Sequence, residues 1–254
     1  MVLRRLGNKK KIAKEIQKYF PVHKIYIEPF FGAGGMFFNK PKAKYNIVND
    51  LDSDVFNLFQ VVMNQKKELE KAFYMMPIHY DLWEFYKKNI PKDKVERALR
   101  FLLISNFGYM GKPETLRWNN KNSKIRVLEN IKNTFDLLFN VEFNNQGYDT
   151  FLKTISFNDN ELKDVFTYND PPYLDTTNNY TEGFTEELSF GLFESNESIG
   201  SKWAMSEFNH PFIISEAKRR NLNIIEVGEQ NNMKNRRTEI LVTNYSNSQL
   251  SLFE

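Results

Sequence analysis

The residues best suited to chemistry in this sequence are Asn169-Asp170-Pro171-Pro172-Tyr173. An acid followed by two prolines continues a strand or a helix poorly, because each proline fixes its own backbone and pushes the residue before it toward an extended shape. The result is a rigid turn that presents a carboxylate, a carbonyl and an aromatic ring together. A planar ring amine needs such partners, since its lone pair is delocalised and it is a poor nucleophile until its hydrogens are held. The Asp170 carboxylate and the Pro171 carbonyl can each accept one N–H, Pro172 completes the preset turn, and Tyr173 can stack on the ring. Methylation of an amine is the chemistry that this arrangement fits. The alternative is an aspartate turn packed by prolines with no chemical role.

A second feature, Glu28-Pro29-Phe30-Phe31-Gly32-Ala33-Gly34-Gly35, lies far upstream. Gly32 and Gly34 let the backbone turn sharply after a strand and let a ligand approach with no Cβ in the way. Asp50 ends the next strand about twenty residues later, where an acid commonly receives ribose hydroxyls. That spacing fits a nucleoside-containing cofactor, either a dinucleotide or S-adenosylmethionine. A purely structural turn and a helix-capping Asp50 are the alternatives.

These residues need a scaffold, and the apolar pattern supplies one. Ile12, Ala13 and Ile16 have helical spacing between Lys9 and Tyr19, and Phe20-Pro21 closes that segment. Lys24-Ile25-Tyr26-Ile27 reads as a strand that enters the glycine turn, with a helix expected from Met36-Phe37-Phe38. Tyr45-Asn46-Ile47-Val48 is a second strand, followed by a helix through Val55, Leu58, Phe59 and Val62. Two consecutive strand-turn-helix units predict a Rossmann-like α/β fold, a parallel sheet with ligands at the carboxyl ends of its strands. Strands are also expected at residues 141–143, 165–168, 202–206, 223–227 and 239–243. Residues 66–140 carry helical patterns and a polar stretch, and are expected to be an inserted, mainly helical module. Residues 1–65 and 141–254 would form the catalytic body. Both chemical motifs lie at strand ends of one parallel sheet, so they are expected to share one pocket.

Composition narrows the chemistry. With no cysteine and only three histidines, disulfides, thiolate nucleophiles and most metal centres are set aside, and no metal is expected. No apolar run is long enough to span a bilayer, and the N-terminus lacks the apolar stretch of a secretory signal, so a cytoplasmic protein is expected. The net charge is only +3, but it is unevenly spread. Residues 1–24 hold eight Lys or Arg against one Glu, and residues 112–132 hold six against two acids. Taken alone, each run could be a solvated surface; flanking a catalytic site, the two together point to nucleic acid.

With those residues in view, the chain resembles the Dam-like, alpha-group family of site-specific DNA adenine-N6 methyltransferases. Residues 28–34 resemble the family's cofactor loop, and Asp170-Pro171-Pro172-Tyr173 matches its catalytic motif. Gly7-Asn8-Lys9 with Ile12, Ala13 and Phe20-Pro21 is similar to its N-terminal cofactor motif, and Arg237-Thr238-Glu239-Ile240-Leu241-Val242-Thr243-Asn244-Tyr245 to its final strand. The resemblance implies a Rossmann-like methyltransferase sheet in which S-adenosylmethionine is held by Lys9, Asp50 and Asp170, beside Phe31, Gly32 and Gly34 of the loop. It also implies a cofactor contact at Arg5, where relatives carry an aromatic residue. Relatives often place an acid and then an aromatic before the catalytic motif; here Gly147-Tyr148 stands there, with Tyr148 as the stacking residue and Asp149 as a displaced acid.

The resemblance makes the insertion a target-recognition region acting on double-stranded DNA with the adenine flipped out. Lys112, Arg117, Lys121, Lys124 and Arg126 would contact phosphates or base edges, and Tyr109, Met110 or Trp118 would wedge into the gap. Relatives that modify GATC carry a different insertion sequence, so no recognition sequence is assigned. The polar stretch 175–184 after the catalytic turn suits a flap over the base. The family works in restriction-modification systems or as orphan or phage enzymes, and no obligate protein partner is implied. Without a cysteine, methylation at cytosine C5 is excluded. Cytosine N4, adenine in RNA and a protein glutamine amide remain as amine targets, and a catalytically silent DNA-binding protein is the reading from a different class.

Overall fold

Short apolar runs without a polar break form strands buried on both faces. The computed structural model describes residues 2–3, 9, 12–117, 123–175, 183–231 and 236–246. The chain divides into two compact units, one of residues 1–11, 32–39 and 50–145, the other of residues 12–31, 40–49 and 146–254.

The second unit carries most of the strands. These are β1 (Ile25–Glu28), β2 (Tyr45–Asn49), β4 (Val165–Asn169), β5 (Lys202–Phe208), β6 (Asn223–Asn231) and β7 (Arg236–Thr243). They run in the order β2-β1-β4-β5-β7-β6. β2, β1, β4 and β5 are mutually parallel, with Ile25 opposite Val165 and Ile27 opposite Thr167. β7 runs antiparallel between β5 and β6. The parallel core matches the expected Rossmann-like parallel sheet, whereas the reversed β7 could not be read from strand patterns, which carry no order across a sheet. The helices of this unit are α1 (Ala13–Gln17), α7 (Tyr148–Thr154), α8 (Asp159–Leu162), α9 (Glu186–Ile199) and α10 (Pro211–Arg219). Side chains alternate between the faces of a strand. One face packs Ile27, Val165, Trp203, Met205, Ile240 and Val242 against Phe151, Leu192, Phe193 and Ile213 in a closed apolar core. The other is richer in aromatic and polar groups, with Phe20 4.6 Å from Phe166 and 5.2 Å from Tyr168, ring centre to ring centre.

The first unit is mainly helical: α2 (Ser53–Asn64), α3 (Lys66–Met75), α4 (Tyr80–Lys88), α5 (Lys94–Phe107) and α6 (Ser123–Leu138), with the strand β3 (Val141–Asn144). Asp52 caps α2 by accepting from the Asp54 and Val55 amides, and Asp93 caps α5 through Glu96. The two helices are tied by Arg97 and Arg100, at 2.5 and 3.4 Å from the Asp54 carboxylate, and by Asn57 donating to the Lys94 carbonyl. After the glycine turn the expected helix is only one turn of 3-10 helix, Phe37–Asn39. Gly32 and Gly34 lie in the left-handed region at φ 54° and 70°, and Pro41 follows closely, so there is no room for a longer helix.

Beyond α5 the chain folds back on itself. Gly108 bridges Leu116, the Tyr109 amide donates to Thr115 and the Arg117 amide to Phe107. This closed loop carries Lys112 and Arg117. A Cβ on Gly108 would stand 2.1 Å from the Lys112 carbonyl oxygen and 2.6 Å from that of Ile104, both backbone atoms. Gly108→Ala is therefore expected to cost about 1–3 kcal/mol of stability, as overpacking does, and to lower the thermal midpoint. An unchanged midpoint would show that the loop is not closed against Gly108.

Candidate active site

The strongest positional constraint is the pairing of β1 with β4. Strand order diverges on either side of this pair, because β2 lies beyond β1 and β5 beyond β4, so it marks the switch point where open α/β sheets bind ligands at the carboxyl ends of their strands. β1 ends there in Pro29-Phe30-Phe31, and β4 ends in Asn169 followed by Asp170. Asp170 is half-buried, Pro171 is buried, and Tyr173 keeps 9% of its surface exposed. Asn169 is anchored below them, its amide donating to the Asn196 side chain at 2.9 Å and to the Ala204 carbonyl at 3.3 Å.

Three buried tyrosines, Tyr173 of the turn itself and Tyr26 and Tyr168 of the strands, each have a hydrogen-bond partner for the hydroxyl. Tyr26 donates to Glu28 at 2.7 Å, Tyr168 pairs with Ser206 at 2.7 Å, and Tyr173 donates to Glu239. Burial pushes all three hydroxyls well above the ordinary tyrosine range, and the negative charge of Asp170 raises each of them further. They therefore stay protonated at neutral pH; Tyr26 and Tyr173 donate to carboxylates, while either hydroxyl of the Tyr168–Ser206 pair can be the donor. Lys40 lies 3.9 Å from the centre of the Tyr26 ring, its ammonium lowered to about 8 by burial while Glu28 acts in the opposite sense.

In the other unit, Asp50 is buried and uses both carboxylate oxygens. One accepts the Gly32 amide at 2.5 Å, and the other accepts the Asp52 amide at 2.8 Å. Asp50 thus holds the glycine turn closed, while the cap of α2 falls to Asp52 two residues later. A side chain at Gly32 would meet nothing within 4 Å, so the turn leaves open space beside it. Gly34 is buried; Phe31, three residues beyond β1 in the strand-bearing unit, is buried too. Lys9 is buried and engaged. Arg5 lies outside the described residues, as do Gly7 and Asn8.

Tyr148 opens α7, and its ring belongs to an aromatic trio with Phe30 at 5.5 Å and Phe184 at 6.1 Å. Its hydroxyl donates to the Leu188 carbonyl at 2.6 Å, and burial raises it to about 12. Of the basic residues in the insertion, Lys112, Arg117 and Arg126 are exposed, as is Tyr109. Lys124 is part-buried and donates to the Met76 carbonyl at 2.6 Å. Trp118, Lys121 and residues 176–182 of the expected flap lie outside the described residues, as does the side chain of Met110.

Several residues of the site escaped sequence reasoning. Asn49 is buried at the end of β2, donates to the Pro29 and Gln146 carbonyls at 3.0 Å each and accepts from the Gln146 amide, so it joins the exit of β1 to the approach of α7. Glu207 is buried and accepts from the Leu174 amide at 3.3 Å and the Phe208 amide at 2.8 Å. Glu239 holds Tyr173. The signal for the two acids was present: each stands beside apolar residues of a strand, Glu207 before Phe208 and Glu239 before Ile240-Leu241-Val242, where a buried charge requires a partner.

The profile of the family described as D12 class N6 adenine-specific DNA methyltransferases matches residues 6–240. The chain is 28% identical over 197 residues to a DNA adenine methylase of Salmonella typhi, covering 72% of this chain and 69% of that protein. It is also 28% identical over 277 residues to the type II methyltransferase M1.LlaDCHI of Lactococcus lactis subsp. cremoris, covering 95% and 94%. Among solved structures it is similar to the rRNA methyltransferase aviRa of Streptomyces viridochromogenes, with a TM-score of 0.41 and 12% identity over 96% of this chain and 86% of that one. A profile that matches nearly from end to end, with the expected catalytic turn at the carboxyl end of β4, places the chain among the D12 class N6 adenine-specific DNA methyltransferases.

Proposed function

We propose that this chain methylates the N6 amino group of an adenine turned out of double-stranded DNA at a specific sequence. The observation that most supports this reading is the half-buried Asp170, set at the end of β4 and followed by the buried Pro171 and the held Tyr173 ring, in a chain of an adenine-specific family. A base stacked in a duplex does not reach a carboxylate in such a turn, so the adenine leaves the stack first.

A methyltransferase family implies an S-adenosylmethionine-type donor, which supplies a methyl group on a sulfonium whose bonding electron pair returns to sulfur on transfer. The residues fit such a group. The glycine turn has open space beside Gly32, and its shape is held by Asp50. Phe31, Gly32, Gly34 and Asp50 would receive the nucleoside, with Lys9, Arg5, Tyr148 and Asp170 as the remaining contacts. The Asp170 carboxylate and Pro171 carbonyl accept the two amine hydrogens, which directs the N6 lone pair at the methyl carbon. Tyr173 stacks on the base. As the new N–C bond forms, the amine becomes cationic and releases one hydrogen as a proton, which Asp170 can take before passing it to solvent.

Residues 66–140 would serve as the target-recognition module. Lys112, Arg117 and Arg126 are exposed and suited to phosphate or base-edge contact, with Tyr109 available as a wedge. Lys121 and Trp118 complete the proposed DNA set, and Lys124, which braces Met76, would contribute through its remaining N–H groups.

Labelled methyl groups are expected to pass from S-adenosylmethionine to the adenine amino group of duplex DNA; transfer to RNA or protein with none to DNA would overturn the substrate. Asp170→Ala is expected to lower turnover by a factor on the order of 10²–10³, the worth of a preorganised polar contact at the reacting group, while DNA binding measured by anisotropy is retained. Gly32→Val forces a β-branched residue to φ 54°. The strain of about 1–3 kcal/mol should weaken S-adenosylmethionine binding about tenfold or more by calorimetry, and unchanged binding would remove the glycine turn from the cofactor site.

A further inference from the structure

A carboxylate inside a strand is costly, because removing it from water loses several kcal/mol of hydration unless a partner restores it. Glu239 is such a group, 1% exposed on β7 and opposite Phe208 of β5. One partner is the Tyr173 hydroxyl. The hydroxyl keeps its proton, so the contact is an O–H donor on a carboxylate, the stronger kind of hydrogen bond. Apolar residues of similar size would pack the same space without the cost.

The Tyr173 ring is held from several directions. Phe208 meets it edge-on, with centres 4.7 Å apart and planes at 81°. Glu239 holds the hydroxyl at the far end. The backbone on one side is set by Pro171 and Pro172, and on the other the Leu174 amide donates to Glu207. A ring fixed in advance loses no rotamer freedom when a base arrives. The bond to Glu239 also shifts electron density into the phenol. The face of an electron-rich ring attracts positive charge, and the base carries positive charge only while its amine is being methylated.

We propose that Glu239 is a positioning residue for Tyr173 that also makes its ring electron-rich, so that Tyr173 stabilises the charge appearing on the base during methyl transfer as well as stacking on it. This rests on the assignment of Tyr173 to the base. The contribution is made in the transition state, so it acts on the rate of transfer and leaves DNA affinity nearly unchanged.

The test compares Glu239→Gln, Tyr173→Phe and the double variant in single-turnover methyl transfer, with DNA affinity and thermal midpoint measured on each. Glutamine keeps an acceptor oxygen but loses the charge, and phenylalanine keeps the ring but loses the hydroxyl. Both changes keep the ring and remove only its enrichment, so each is expected to slow transfer about three- to tenfold, part of the worth of one desolvated cation–π contact, with DNA affinity retained. The double variant should be no slower than either single one, because both remove the same interaction. Full rate in Glu239→Gln, losses that multiply in the double variant, or a loss confined to DNA affinity would each overturn the proposal. Should Glu239→Gln fail to fold, Tyr173→Phe decides alone, and full rate in it overturns the proposal. Asp170→Ala in the same assay separates the two readings: retained transfer there would remove the catalytic turn itself, whereas lost transfer with multiplying Glu239 and Tyr173 effects would remove only the role of Glu239.

Discussion

The parallel pairing of β1 with β4 is the constraint on which the site depends. Parallel strands send their carboxyl ends out of one edge, and the registry of Ile25 with Val165 through Ile27 with Thr167 brings the exits of the two strands side by side. From that edge the chain leaves β1 as Pro29-Phe30-Phe31 and β4 as Asp170-Pro171-Pro172-Tyr173. A slip of one residue would exchange the two faces of β4 and put Phe166 and Tyr168 where Val165 and Thr167 now pack. The contact of Tyr168 with Ser206 would then be lost, and the turn that follows β4 would leave the sheet in a different place. The parallel pairing therefore decides both where the turn emerges and which side chains support it.

The two faces of the sheet divide the work between stability and chemistry. One is closed by Trp203, Phe193, Met205 and their apolar neighbours, whose burial favours folding by about 25 cal/mol for each Å² removed from water. The other holds Tyr26 with Glu28, Tyr168 with Ser206 and Tyr173 with Glu239. Buried acids and hydroxyls add little net stability even when paired, so the apolar face offsets their cost. What the polar face provides is support for the proposed catalytic turn before any ligand arrives. Asn49 does the same for the neighbouring exit, where it ties the Pro29 carbonyl to Gln146.

Much of this was legible in the sequence, because local rules govern it. The strand that enters the glycine turn, the strand that leads into Asp170 and the helix after Asp50 each carry their signal within a few residues. The short 3-10 turn at Phe37–Asn39 was less so, since the apolar run Met36-Phe37-Phe38 looks helical until the left-handed glycines before it and Pro41 after it are weighed together. Asp50 and Asp52 are two residues apart and of one type, and only geometry shows that the first closes the glycine turn while the second caps α2. The reversed β7 and the partners of Glu239, Glu207 and Asn49 depend on segments far apart in the chain. No local pattern encodes them. An acid directly before Ile240, Leu241 and Val242 announces that a partner exists but does not name it.

The central claim is that the turn at Asp170 methylates adenine N6 in DNA. Sequencing of genomic DNA with direct detection of modified bases, from cells that express the chain and from cells that express Asp170→Ala, tests it most directly. N6-methyladenine confined to one short sequence context, present with the native chain and absent with the variant, is the predicted result. Methylation at cytosine instead, or the same N6-methyladenine in cells expressing the variant, would contradict it.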